Sequence, residues 1–267
     1  DETRAPVLDP GRRKTKTGYF WALARDDRPW RGAAPPGVAF SYAPGRGGQH
    51  AEQILRGFKG ILQVDGYAGY NRLLKPEHDI RLAYCWAHAR RKLVEIIGTG
   101  LASIAEVGVN RIGELYRIEA NIRGFDTAAR LTARQERSAP IIGDFEAWLT
   151  QHRTRVARKS PLGEALTYIT KYWDGLCLFL SDGRIELDNN TVERPIRPNA
   201  LNRKNALFTG HDAGAGNWAV FASLIETCKM NAVDPHAWQA TTLTAIAGGH
   251  MQSNIADLMP WNYAAKV

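Results

Sequence analysis

The chain has 267 residues, 44% hydrophobic and 23% charged, a balance that fits a soluble globular protein of one large or two smaller domains and excludes a low-complexity chain. No run approaches the ~18 consecutive apolar residues of a membrane span, and Cys85, Cys177 and Cys228 are scattered without a paired motif, so neither a membrane-spanning helix nor disulfides are expected and a reducing cytoplasm fits best. The formal net charge of +8 makes a polyanionic partner such as nucleic acid plausible.

The opening "DETRAPVL" reads as a strand already under way, which implies further chain upstream of Asp1. Short β patterns then follow in "TRAPVL" (3–8), "YFWALAR" (19–25), "GVAFSY" (37–42) and "GILQVD" (60–65), separated by Gly, Pro and Arg-rich turns. Between the third and fourth, "GQHAEQILRGF" places Ala51, Ile54, Leu55 and Phe58 at helical spacing. A short helix in "AGYNRLL", a strand in "IRLAYC" (80–85) and a helix in "WAHARRKLVEII" complete the order βββαβαβα. That order predicts an α/β fold in which a mixed sheet is flanked by helices.

From about residue 101 to 180 the pattern is helical, in "IGELYRIEANIRGF", "PIIGDFEAWLTQHRTRVARK" and "PLGEALTYITKYWDGLCLFL". This stretch reads as a helical insertion. Beyond it come "DNNTVERPIRP" (188–198), the glycine-rich "GHDAGAGNWA", expected as a flexible entry to the next helix, and helices near 218–230 and 235–247.

Two carboxylates stand out. Asp65 closes an apolar strand and is followed by Gly66 and Gly69, so it is either a turn-forming Asp or a side chain displayed at a sheet end, where α/β proteins bind ligands. Glu193 has the spacing of a capping box with Asn190, yet Pro195 and Pro198 predict a helix that is short, kinked and soon ended. Arg194, Arg197, Arg203 and Lys204 follow with no acid among 194–204, an arrangement suited to phosphates. Further basic clusters occur at 11–16 (Arg12, Arg13, Lys14, Lys16), 89–92 (Arg90, Arg91, Lys92) and 152–159; singly each reads as a solvated face, and together they fit a DNA backbone.

The blocks "DET" at 1–3, "VLDPGRRKTKTGYFWALARDDRPW", "GILQVDGYAGYNRLL", "CWAHARRKL" and "ELDNNTVERPIRPNALNRKNALFTG", down to "LMPWNY" near the end, resemble the transposases of the bacterial insertion sequence 66 family, across nearly the whole chain. The resemblance implies a ribonuclease H-like DDE domain. It implies a core over 1–100, an insertion over 101–180, completion of the core with the Glu-bearing helix over 181–230, and a helical tail over 231–267. Carried over residue by residue, the triad falls on Asp1, Asp65 and Glu193, with Asp9 a weaker candidate for the first position. The family pattern usually has Gly where this chain has Arg13.

Such a site holds two Mg²⁺ ions about 3.5 to 4 Å apart, with Mn²⁺ able to substitute, and serves hydrolytic cleavage of a DNA strand followed by attack of the freed 3′-hydroxyl on target DNA. The implied partners are element ends and target DNA, and a homo-oligomer in a synaptic complex. A ribonuclease H-like nuclease that cuts without joining, and a catalytically inactive DNA-binding remnant, are the alternatives. Cys85 and His88 have ligand-like spacing without the second pair of a structural zinc site, and the glycine-rich segment lacks the Lys-Ser/Thr of a P-loop.

Overall fold

The computed structural model describes residues 1–97 and 102–264; the boundary expected near residue 100 lies outside them. The chain divides into two compact units, one of residues 1–27, 33–56 and 190–267, the other of residues 28–32 and 57–189.

In the first unit, β1 (Glu2–Asp9), β2 (Lys14–Arg25) and β3 (Gly37–Ala43) form an antiparallel sheet in sequence order, with Glu2 opposite Trp21 and Tyr19 opposite Ala43. Alternation decides which face is buried. Ala5, Val7, Phe20, Ala22, Val38 and Phe40 turn inward and meet α8 (Asn190–Asn202) and α9 (Asp212–Met230). A short α1 (Gly48–Ile54) follows β3.

In the second unit, β4 (Gly60–Val64) and β5 (Ile80–Tyr84) pair in parallel, with Val64 opposite Tyr84. The α/β character expected from the sequence holds, but in place of one mixed sheet the described residues form a three-stranded antiparallel and a two-stranded parallel hydrogen-bonded sheet. Among the described residues, the helices accompanying the parallel pair are α2 (Trp86–Val94), α3 (Ala102–Ile122), α4 (Thr127–Ala133), α5 (Ala139–Arg153), α6 (Pro161–Lys171) and α7 (Trp173–Cys177). Their core is aromatic at its centre, where Trp86 packs edge-on to Phe145 at 5.6 Å between centroids and donates its indole N–H to Leu176 O at 2.8 Å.

The helices after residue 189 belong to the first unit: α8 (Asn190–Asn202), α9 (Asp212–Met230), α10 (Pro235–Ala247) and α11 (Pro260–Ala264). Two sequence expectations are corrected here. First, α8 runs through both Pro195 and Pro198 instead of ending at them. Each proline removes one backbone donor, but Val192, Pro195 and Ile196 are buried at helical spacing, and Val192 and Ile196 enter the β-sheet core. Burying side chains of this size contributes roughly 1.5–3 kcal/mol each, which opposes the cost of the prolines.

Second, the glycine-rich segment is not a flexible lead-in, because α9 begins at Asp212 and takes in Gly214 and Gly216. The small residues Ala215, Ala219 and Ala222 bring α9 close against the sheet. There Thr227 Oγ1 accepts from Val38 N at 3.1 Å and Ser223 Oγ from Phe40 N at 2.8 Å. The edge of β3 is thus satisfied by helix side chains, which covers donors that an open edge would expose.

Candidate active site

The parallel pair sets the first half of the site. One step beyond the Val64–Tyr84 pair the two strands exit at Asp65 and Cys85, at the carboxyl ends where α/β sheets bind ligands. Asp65 is half-buried. Its Oδ1 accepts from Tyr67 N at 2.8 Å, an Asx turn, and Gly66 adopts φ +97°, open to glycine but strained for other residues.

The turn is held from α6 and the residue after it. Tyr168 donates its hydroxyl to Asp65 O at 2.8 Å and Tyr172 donates to Gly66 O at 2.7 Å. A Cβ on Gly66 would lie 2.9 Å from the Tyr168 hydroxyl. Burial, then the neighbouring Tyr172 and Asp65, pushes the Tyr168 phenol well above its ordinary range, so it is a constant donor near neutral pH. Asp65 is therefore both things the sequence allowed, a turn former and a carboxylate at a sheet end.

The segment from 185 to 189 passes the same strand ends. Leu187 O accepts from Trp86 N at 2.9 Å, and Glu186 O accepts from the Gln63 amide at 2.6 Å. Cys85 is fully buried; burial pushes its thiol up to about 11 against the backbone N–H groups of Asn189, His88 and Ala87 that point at it. It is thus a neutral thiol at physiological pH. Asp188 raises both Cys85 and the buried Tyr116 hydroxyl, in each case after burial itself. A further carboxylate therefore sits near the ends of β4 and β5, which the sequence reading quoted within "DNNTVERPIRP" without assigning a role.

What fixes that segment is also absent from the sequence reading. Arg134, fully buried, forks onto Glu119 at 2.7 and 2.8 Å and donates to the carbonyls of Phe179, Asp182 and Ile185 at 3.0, 2.9 and 2.7 Å. Arg130, equally buried, reaches Glu119 at 2.9 Å and Glu186 at 2.6 Å. Paired, hydrogen-bonded guanidinium groups of this kind are among the few charges that a core accepts.

The first unit holds the other two triad candidates. Asp1 extends the β1–β2 ladder: its carbonyl accepts from Ala22 N at 2.8 Å, its backbone nitrogen donates to Ala22 O at 3.2 Å, and Oδ1 accepts from Glu2 N at 2.8 Å. Glu193 lies half-buried in the first turn of α8, the end of a helix that favours a carboxylate. Asp1 and Glu193 thus share the first unit, while Asp65 lies in the second. Asp9 closes β1 and pairs with Arg12 at 3.6 Å.

The basic candidates have diverse surroundings. Arg12, Arg13 and Lys14 are exposed at the β1–β2 turn, about 25 Å along the ladder from Asp1 at ~3.4 Å per residue. Lys16 pairs with Asp212 at 2.7 Å, and Asp212 also accepts from the Tyr42 hydroxyl. Arg90 and Arg91 are exposed on α2, and Lys92 lies over the Tyr168 ring at 4.9 Å. Arg194 and Arg197 are exposed on α8, Lys204 is exposed just beyond it, and Arg203 donates to Ala200 O at 3.1 Å and Arg4 O at 3.4 Å.

Residues 1–217 match the family model described as "Transposase IS66 family", and residues 223–261 match the "IS66 C-terminal element". Three proteins of Sinorhizobium fredii (strain NBRC 101917 / NGR234) are similar over nearly the full chain. Uncharacterized protein y4qI is 46% identical, covering 98% of this chain and 50% of the relative. Uncharacterized protein y4jD is 43% identical, covering 99% and 53%, and uncharacterized protein y4hP is 38% identical, covering 98% and 50%. The chain spans about half the length of these relatives. No solved structure matches.

Proposed function

The chain belongs to the IS66 transposase family, and from that premise we propose that it carries the catalytic core of a DDE-type DNA transposase, ribonuclease H-like in organisation, which cuts and joins DNA strands. The observation that carries the reading is Asp65, a half-buried carboxylate at the carboxyl end of a parallel strand, on a turn held by two tyrosine hydroxyls. A ligand position fixed by its surroundings is what metal-dependent phosphoryl transfer requires. The order of strands and helices from β1 to α2 supports the same reading.

In this proposal Asp1, Asp65 and Glu193 are the metal ligands. Their chemistry fits Mg²⁺, a hard cation that takes carboxylate oxygens and keeps several waters. Bound there, two Mg²⁺ ions would supply Lewis-acid activation of the attacking oxygen and stabilisation of the leaving one. The chain's own part is to hold the carboxylates and to position the strand. Arg194 and Arg197 follow Glu193 on the exposed side of α8 and would draw phosphates toward it. Arg90 and Arg91 would do so at α2, and Arg12, Arg13 and Lys14 at the β1–β2 turn. Residues 101–180 form an insertion between Asp65 and Glu193 in this reading, and a homo-oligomer brings two element ends together.

The proposal is tested by Mg²⁺-dependent cleavage of DNA carrying the element's ends. Asp65→Asn and Glu193→Gln are each expected to abolish cleavage while DNA binding persists; cleavage by either variant would sink the assignment.

A further inference from the structure

The second unit contains a cleft of about 580 Å³ where the end of α5 turns into α6, with Arg153 and Arg158 in its walls beside Thr150 and Thr167, Val156 and Leu166 among its apolar lining, and no acid among its lining residues. Arg153, Arg155, Arg158 and Lys159 are all exposed on this turn. Among the described residues none of the four side chains forms an ion pair or hydrogen bond. By contrast, Arg123, Arg130, Arg134 and Arg184 of the same unit pair with carboxylates. The neighbouring His152 titrates below its usual range, first through burial and then through the charges of Arg155 and Arg111, so the local field is already positive.

The turn is built rigidly. Ser160 Oγ accepts from Gly163 N at 3.1 Å and donates to Ala157 O at 2.7 Å. Gly163 is required there, since a Cβ would lie 2.1 Å from Ala157 O. The threonines offer no spare donor where their bonds are defined: Thr154 donates to Gln151 O at 2.9 Å and Thr167 to Gly163 O at 2.7 Å. Recognition in the cleft therefore falls to guanidinium charge, which suits a phosphate and carries no base information. Arg155 and Lys159 extend the positive surface along the same turn, as a repeating polyanion needs and a single small anion does not.

We propose that this cleft seats phosphates of a DNA backbone, which gives the basic run at 152–159 a defined seat on the helical segment, apart from the triad and from the basic residues at α2, α8 and the β1–β2 turn. It rests on the transposase reading for the identity of the polyanion. The same helix, α6, carries Thr167 in the cleft and Tyr168 on the Asp65 turn, so a strand gripped at the cleft and the carboxylate that acts on it share one rigid element.

The test is binding of the full chain to a short fluorescent duplex of arbitrary sequence, by anisotropy in EDTA across a salt series. Arg153→Gln with Arg158→Gln is expected to weaken binding several-fold at low salt and to flatten the slope of log K against log salt by about 1.8, for two lost phosphate contacts, with an unchanged melting temperature. Affinity and slope equal to the unsubstituted chain would overturn the inference. If binding instead fails only when Arg194 and Arg197 are replaced, the cleft is overturned and the transposase reading stands. If the unsubstituted chain binds no duplex at all, both fall.

Discussion

The Tyr168 hydroxyl donates a 2.8 Å hydrogen bond to the backbone carbonyl of Asp65, across 103 residues of sequence. The bond ties the strand-end carboxylate to α6, and the proposed chemistry depends on that tie.

Removing the hydroxyl is the mildest way to examine it. Tyr168→Phe keeps the ring under Lys92 and leaves Asp65 O without its donor, at a cost of about 1 kcal/mol. Thermal unfolding should show that small loss, and cleavage should need more Mg²⁺ to reach half-maximal rate. An unchanged Mg²⁺ requirement would show that the bond supports the fold and not the site.

Gly66→Ala acts on the same turn from the backbone. At φ +97°, with the new Cβ 2.9 Å from the Tyr168 hydroxyl, it should destabilise the chain by about 2 kcal/mol. Urea unfolding measures this. A loss below about 0.5 kcal/mol would mean that the turn relaxes freely and Asp65 is not held.

Arg134 should be the most sensitive charged residue outside the site. Arg134→Met leaves Glu119 short of its bidentate partner and frees three carbonyls, with an expected loss of about 3 kcal/mol or more. Arg134→Lys should recover little, since one ammonium cannot reproduce the fork. Denaturant midpoints of the two variants check this, and a fully stable lysine variant would contradict it.

The buried thiol gives the protein an alkaline limit. Burial raises Cys85 to about 11 from an ordinary 9.0, and Cys228 likewise. A group whose folded value is raised contributes stability fully below its unfolded pKa and loses that contribution as pH climbs to the folded one. The melting temperature under reducing conditions should therefore decline between about pH 9 and 11, less steeply in Cys85→Ala. A curve unchanged over that window would contradict the burial argument.

Much of this was legible along the chain because it is local. Short β patterns between turn residues marked β1 to β5, and a carboxylate followed by Gly66 marked the strand end. What was not legible is held by distant partners. Arg130 and Arg134 carry no local signal of burial, because their partners Glu119 and Glu186 meet them only in the fold. Tyr168 and Tyr172 gave no sign that they would meet Asp65 and Gly66. Pro195 and Pro198 announced a helix end correctly by local rules, and burial of Val192 and Ile196 overrode them. Asp188 stood beside Glu193 in the sequence, but its neighbours Cys85 and Tyr116 only come together in the fold.

In the proposed function Asp65 and Glu193 serve one phosphoryl-transfer site. The most direct test is strand joining in Mg²⁺, from a pre-cut donor with a free 3′-hydroxyl into supercoiled target DNA. The expected result, in the full-length protein, is joined product without substitution and none with Asp65→Asn or Glu193→Gln, with all three binding the donor equally. Joined product from either variant would contradict the account.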